Sequence, residues 1–161
     1  MSLLIRDARP ADARTIVRLI KALAEYEKLS AEIENDEARV AEVFFGPNPR
    51  TFCSIAEMSG EPVGYAIWFY SYSTFTGRHG IYLEDLFVVP EHRGAGIGKA
   101  FLRTLAARCR SEGLTRLEWA VLDWNKPAIR FYRSIGAAPL EGWTGYRLAG
   151  DALGRLGASV G

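Results

Sequence analysis

Apolar residues recur along the chain with two different periods, and the switches between them divide it into elements. Residues 3–6 form a short extended run that is broken at Arg9-Pro10. From Asp12 onward, Ile16, Leu19, Ile20 and Leu23 fall at helical spacing, which predicts an amphipathic helix with one face packed inward. A second helix is expected to start at Asn35 or Asp36, either of which can cap it, to bury Val40, Val43 and Phe44, and to stop at Gly46-Pro47. Residues 51–56 and 63–72 read as strands joined across Ser59-Gly60-Glu61-Pro62, a run of turn formers that predicts an antiparallel hairpin. Residues 81–89, β-branched and aromatic, end at Pro90 and lead through a glycine-rich loop into a helix over 97–111. A strand over 116–122, a helix over 125–135 opened by Asn125 and Pro127, and a last strand over 144–148 complete the pattern. The expectation is a mixed α/β fold whose early strands are antiparallel and whose later strands cross over through helices. No repeat, charge run or linker interrupts it, so residues 1–161 read as a single domain.

Composition narrows what such a domain does. The chain is 48% hydrophobic over 161 residues, enough to bury a core without disulfide staples. Its formal charge is +1, from 20 Lys and Arg against 19 Asp and Glu, so it lacks the diffuse attraction to phosphate backbones or anionic lipid that a basic protein carries. No nucleic acid and no membrane partner is therefore expected, and a charged ligand must be recognised locally. The longest wholly apolar or aromatic run, residues 65–70, falls far short of the roughly 18 residues that span a bilayer. No basic start followed by an apolar stretch and a small-residue cleavage site opens the chain, which points to a cytoplasmic protein. Cys53 and Cys109 read as buried, reduced thiols, and His79 and His92 have no second ligand at metal spacing, so no metal is expected.

The most informative segment is Arg93-Gly94-Ala95-Gly96-Ile97-Gly98, between a strand and a helix. There the backbone N–H groups of a helix N-terminus converge, glycines let the backbone approach an anion, and Arg93 adds positive charge. A pyrophosphate fits this geometry. The dinucleotide fingerprint GxGxxG and the triphosphate-loop ending Gly-Lys-Ser/Thr are both absent from it. Arg93, Gly96 and Gly98 do match the Arg/Gln-x-x-Gly-x-Gly/Ala pattern, and the chain here resembles the GNAT superfamily of N-acetyltransferases. The resemblance extends over nearly the whole chain to the diamine acetyltransferase branch, which includes spermidine/spermine and thialysine N-acetyltransferases. Residues 19–29, 81–88, the 93–98 loop and 120–132 carry it, and Ala120-Val121-Leu122-Asp123-Trp124-Asn125 looks more like the thialysine type than the polyamine type. One departure concerns substrate fit: Phe75 stands before Thr76-Gly77 where such enzymes usually carry Trp.

The resemblance implies a GNAT-type fold, a mixed and mostly antiparallel central sheet with a splayed strand pair and flanking helices. It implies that acetyl-CoA is the co-substrate, its pyrophosphate on Arg93, Gly94, Ala95, Gly96, Ile97 and Gly98, and its pantetheine arm along the backbone of Leu86, Phe87, Val88 and Val89. Asn125, by its donor and acceptor, suits a contact to pantetheine, although it equally suits a helix N-cap. Tyr132 falls where the family keeps its general acid, near the coenzyme A sulfur; a phenol is protonated at neutral pH and can donate to a forming thiolate, and its plainer reading is a packing aromatic beside Phe131. Tyr26 and Glu27, at the end of the first helix, fall at the acceptor site, where negative charge attracts a diamine; the alternative is the polar face of an amphipathic helix.

Acetyl transfer to an amine needs that amine neutral, so a carboxylate or an ordered water chain must first take its proton. Glu84 and Asp85 are the candidates. Adjacent strand residues point to opposite faces, so at most one of the pair faces the substrate side directly and the plainer reading of the other is a solvent-facing strand charge; Glu84 is favoured as a base acting through water, with both residues expected at the amine site. The function expected is direct transfer of acetyl from acetyl-CoA to a primary amine of a small diamine, polyamine or thialysine-like amino acid. Alternatives are a protein or peptide N-acetyltransferase and a non-catalytic acetyl-CoA-binding sensor. A cysteine-based covalent route is disfavoured because neither thiol is paired with an activating histidine. The resemblance further implies a homodimer with the amine site close to the subunit boundary.

Overall fold

Residues 2–160 are described by the structure, a computed structural model. Five strands pair in the order β1 (Leu3–Asp7), β2 (Phe52–Met58), β3 (Glu61–Ser73), β4 (Arg78–Val88) and β5 (Leu117–Glu118). The first three pairings are antiparallel and the last is parallel. The helices are α1 (Ala13–Tyr26), α2 (Glu37–Phe45), α3 (Ile97–Glu112), α4 (Lys126–Ser134) and α5 (Gly150–Ala158). The chain divides into two compact units, one ending at Ala120 and holding the sheet with α1 to α3, the other starting at Val121 and holding α4 and α5. The mixed, mostly antiparallel sheet flanked by helices is the architecture that the sequence pattern leads one to expect.

The sheet of the first unit has an apolar face on each side. Alternation along β3 sends Tyr65 and Ile67 to one face, where they join Ile16 and Leu19 of α1, Val40 of α2, Cys53 and Ile55 of β2 and Phe87 of β4 in a buried cluster. Trp68 goes to the other face, under the Arg108 guanidinium of α3, 5.0 Å from its ring centre. From α3, Ile97, Phe101, Leu102, Leu105 and Cys109 are buried, the helical stripe that packing on a sheet requires. The β2–β3 hairpin turns on Ser59 and Gly60, both at positive φ (53° and 87°), the two-residue geometry that matches strand twist. Glu61 and Pro62, expected in the connection, instead lie inside β3, where Pro62 pairs with Glu57 beside a register shift that tolerates its missing N–H.

Three sequence expectations are corrected. Asp36 alone caps α2, its carboxylate accepting from the Arg39 N–H at 2.8 Å, and of the apolar residues on that helix Val40 is buried whereas Val43 is 49% exposed. The strand expected over 116–122 shrinks to Leu117 and Glu118, paired with Ile81 and Tyr82. Beyond Tyr82 the outer edge of β4 has no paired strand among the described residues. The strand expected over 144–148 does not form; the second unit has no strand among its described residues for it to pair with, and α5, which was not foreseen, follows instead.

Candidate functional site

The loop between β4 and α3 has the backbone that its glycines foretell. Gly94 and Gly96 both have φ of +80°, and Gly96 is the N-cap of α3. A Cβ at either position would meet no atom within 4 Å, so backbone conformation and not crowding requires glycine there. No side chain caps the helix, so its first N–H groups have no side-chain acceptor at the cap. Ile97 anchors the helix start in the core, while Arg93, Gly94, Ala95 and Gly96 are exposed and Gly98 is half-buried.

Arg93 ties this loop to two other elements. Its Nε donates to the Val88 carbonyl at 2.9 Å, and its guanidinium lies 4.2 Å from the centre of the Tyr26 ring and 5.5 Å from that of Phe87. Stacking of this kind is worth about 0.5–2 kcal/mol, more as water is excluded. From the sequence Arg93 is expected only to supply positive charge for a phosphate; the fold adds that it ties the glycine loop to the end of α1.

That end of α1 carries the proposed acceptor residues. Tyr26 is the last helical residue and Glu27 the C-cap, half-buried, its carboxyl pushed up from the usual range by burial. Across from it, the register of β3 and β4 shifts: Ile67 faces Asp85 and Trp68 faces Leu83, so Glu84 is the extra residue of a bulge. The bulge reverses the phase of the strand. Leu83 shares the α3 face with Trp68, and Asp85 and Phe87 share the α1 face with Ile67 and Tyr65. Simple alternation between Glu84 and Asp85 therefore does not describe this strand, although the two carboxylates do have different surroundings. Glu84 is exposed. Asp85 is half-buried, accepts a hydrogen bond from the Tyr65 hydroxyl at 3.0 Å, and titrates at about 6, raised by burial first and then by the charges of Glu84 and Glu27, against the lowering effect of Tyr65.

The first unit thus brings together Tyr26, Glu27, Glu84, Asp85, the strand end Leu86, Phe87 and Val88, and the loop from Arg93 to Gly98. Sequence reasoning missed Tyr65, because an aromatic in a buried strand is indistinguishable from core until its hydroxyl partner is known. In the second unit, Asn125 caps α4 through its side-chain oxygen, which accepts from the Ala128 N–H at 3.4 Å, and Tyr132 lies on the same helix with its ring 5.5 Å from that of Phe131. Elsewhere in the first unit, a cleft of about 300 Å³ lined by Phe44, Phe52, Trp68, Tyr70 and Arg108 holds none of the expected site residues. Among the described residues no group of three His, Cys, Asp or Glu side chains could hold a metal ion, and no helix is long and apolar enough to cross a membrane.

Comparison with known proteins points the same way as the loop. The sequence pattern of the acetyltransferase (GNAT) family matches residues 16–137. A Sus scrofa protein named thialysine N-epsilon-acetyltransferase is 43% identical over 166 residues, spanning 96% of this chain and 97% of that protein. A Homo sapiens protein named spermidine/spermine N(1)-acetyltransferase-like protein 1 is 33% identical over 92% of this chain, a span that makes up 23% of that longer protein. Among solved structures, an integron cassette protein from the mobile metagenome of V. cholerae matches with a TM-score of 0.82 at 25% identity, covering 98% of each chain.

Proposed function

The chain belongs to the GNAT acetyltransferase family and is an acetyl-CoA-dependent N-acetyltransferase, and from that premise we propose that it acetylates a primary amine of a small diamine, polyamine or thialysine-like amino acid. The observation that carries this reading is the meeting of Glu27, Glu84 and Asp85 beside the loop that Arg93 clamps to Tyr26. Negative charge on the acceptor side selects a cationic amine, and helix N–H groups on the other side suit a phosphorylated donor. The near full-length likeness to a thialysine acetyltransferase supports the same substrate class.

The residues present fit acetyl-CoA. The open space around Gly94 and Gly96, the uncapped α3 terminus and the unpaired edge of β4 past Tyr82 are what a pyrophosphate and an extended pantetheine arm need, with Leu86, Phe87 and Val88 offering backbone groups to the arm. When bound, it supplies an activated acetyl thioester. Asp85, Glu27 and Tyr26 hold the incoming ammonium group. Glu84, exposed on its bulge, takes the amine proton through water, since an alkylammonium of pKa about 10.4 is no nucleophile until it is neutral. Tyr132 holds a proton for the departing sulfur, and the amide N–H groups of Asn125 suit the pantetheine while its oxygen caps α4. Transfer is direct, in a ternary complex; burial pushes the Cys53 thiol far up, which argues against a cysteine nucleophile. The match across 16–137 runs past the boundary at Ala120, which supports reading 1–161 as one domain; that the protein is cytoplasmic and pairs as a homodimer belongs to the same proposal, and the homodimer rests on the family resemblance alone.

The test is release of free thiol from acetyl-CoA in the presence of spermidine, putrescine, thialysine, lysine or short peptides. Turnover on a small amine is expected. Turnover on peptides alone would replace the substrate class, and acetyl-CoA binding without turnover on any acceptor would favour a sensor.

A further inference from the structure

We propose that Tyr65 is a positioning residue of the amine site, its buried hydroxyl donating to Asp85 and holding that carboxylate aimed at the incoming ammonium group. This rests on the functional reading above, which puts Asp85 at the acceptor amine, and adds a residue that neither the sequence pattern nor the family resemblance singled out.

Tyr65 sits on β3 with no exposed surface, packed with Cys53, Ile55, Ile67 and Phe87 over α1. A phenylalanine would fill that apolar volume. The hydroxyl instead reaches 3.0 Å to Asp85 Oδ2, a pairing made possible because the Glu84 bulge turns Asp85 to the α1 face. A buried hydroxyl is costly without a partner, and a hydrogen bond to a carboxylate is among the stronger kinds. It engages one carboxylate oxygen and so fixes the direction of the other.

The groups that act on Asp85 come from three elements: Tyr65 on β3, Glu84 on β4 itself and Glu27 at the end of α1; Cys53 on β2 in turn feels the Asp85 charge. Burial and both glutamates oppose ionisation of Asp85, while the hydrogen bond from Tyr65 favours it. Removing the hydroxyl therefore leaves more of Asp85 protonated near neutrality and weakens its hold on a cation. The loss is largest at low pH and fades once the carboxyl is ionised regardless.

The experiment uses the full chain and its Tyr65→Phe variant, with thialysine and spermidine as acceptors. Carbon-13 NMR follows the Asp85 carboxyl without substrate, and kinetics give kcat and KM at pH 6.5 and 8.5. Expected in Tyr65→Phe are a carboxyl titration at least half a pH unit higher, a KM raised at least threefold at pH 6.5, and a smaller change in KM at pH 8.5. A carboxyl that titrates as in the unaltered protein overturns the proposal, as does a KM raised equally at both pH values, which loss of packing alone would produce. Asp85→Asn guards against a variant that fails to fold, since its amide oxygen still accepts from Tyr65. It should weaken the dependence of KM on pH, and a dependence unchanged from the unaltered protein overturns the proposal. If the unaltered protein acetylates no amine, the functional reading falls, whereas the substrate-free titration still decides whether Tyr65 governs Asp85.

Discussion

Gly96 shows how much one residue can carry, because its φ of +80° at the α3 cap is a conformation that costs an L side chain roughly 1–2 kcal/mol even where space is open. Gly96→Ala should lower stability by about that amount in urea unfolding and weaken coenzyme A binding measured by titration. Asp85 makes a different trade. Its carboxyl titrates at about 6 in the folded chain, above its unfolded value, so the folded state binds the proton more tightly and stability falls as pH rises through that window. Asp85→Asn removes the burdened charge: melting should rise by a few degrees at pH 8, stay level at pH 4, and be accompanied by a higher KM for the amine. For Tyr132, replacement by Phe should cut turnover roughly tenfold or more while coenzyme A binding is nearly unchanged, as removal of a proton donor at the reacting centre would do. The glycines and the carboxylates could be picked out in the sequence by chemical type, and Tyr132 through the family resemblance. The partner of Asp85 could not, since only register decides which buried aromatic comes within hydrogen-bond reach.

At the scale of elements, α2 separates what periodicity reads from what packing chooses. Val40 and Val43 sit three residues apart on one predicted face, but Val40 enters the core of α1 and β3 and Val43 stays at the rim. Val40→Ala should cost about 1–3 kcal/mol in thermal or chemical unfolding, and Val43→Ala under about 0.5 kcal/mol. Helix starts were more legible: Asp36 and Asn125 each accept a backbone N–H as cap-forming residues do. Strands were least legible where they needed a partner. Residues 144–148 have strand-forming composition but no strand among the described residues of their unit to pair with, and the strand expected over 116–122 pairs only at Leu117 and Glu118. A bulge adds one residue to one strand, and no local preference announces it.

For the whole molecule, the question is assembly. Phe75, at the tip of the β3–β4 turn, is 98% exposed, and Tyr72 beside it is 56% exposed. Large aromatics at such a tip are what an interface between copies uses. Sedimentation should find a species of twice 17.9 kDa at working concentration, and Phe75→Asp should shift it toward the monomer. A monomer in the unaltered protein would remove the subunit boundary from the amine site.

What the sequence by itself determined is what local chemistry encodes: helix phase, caps, the Ser59-Gly60 turn, and the glycine loop whose positive φ values only glycine takes easily. From these came the α/β architecture and the glycine-opened, uncapped start of α3. What only tertiary structure decided is everything that depends on register. The bulge at Glu84 fixes which face Asp85 joins, and the pairing of β3 with β4 brings Tyr65 to it. The approach of α1 to the loop puts Tyr26 under Arg93. These contacts join residues 20 to 67 positions apart in the chain, and a shift of one residue in register would send each of the strand side chains to the opposite face.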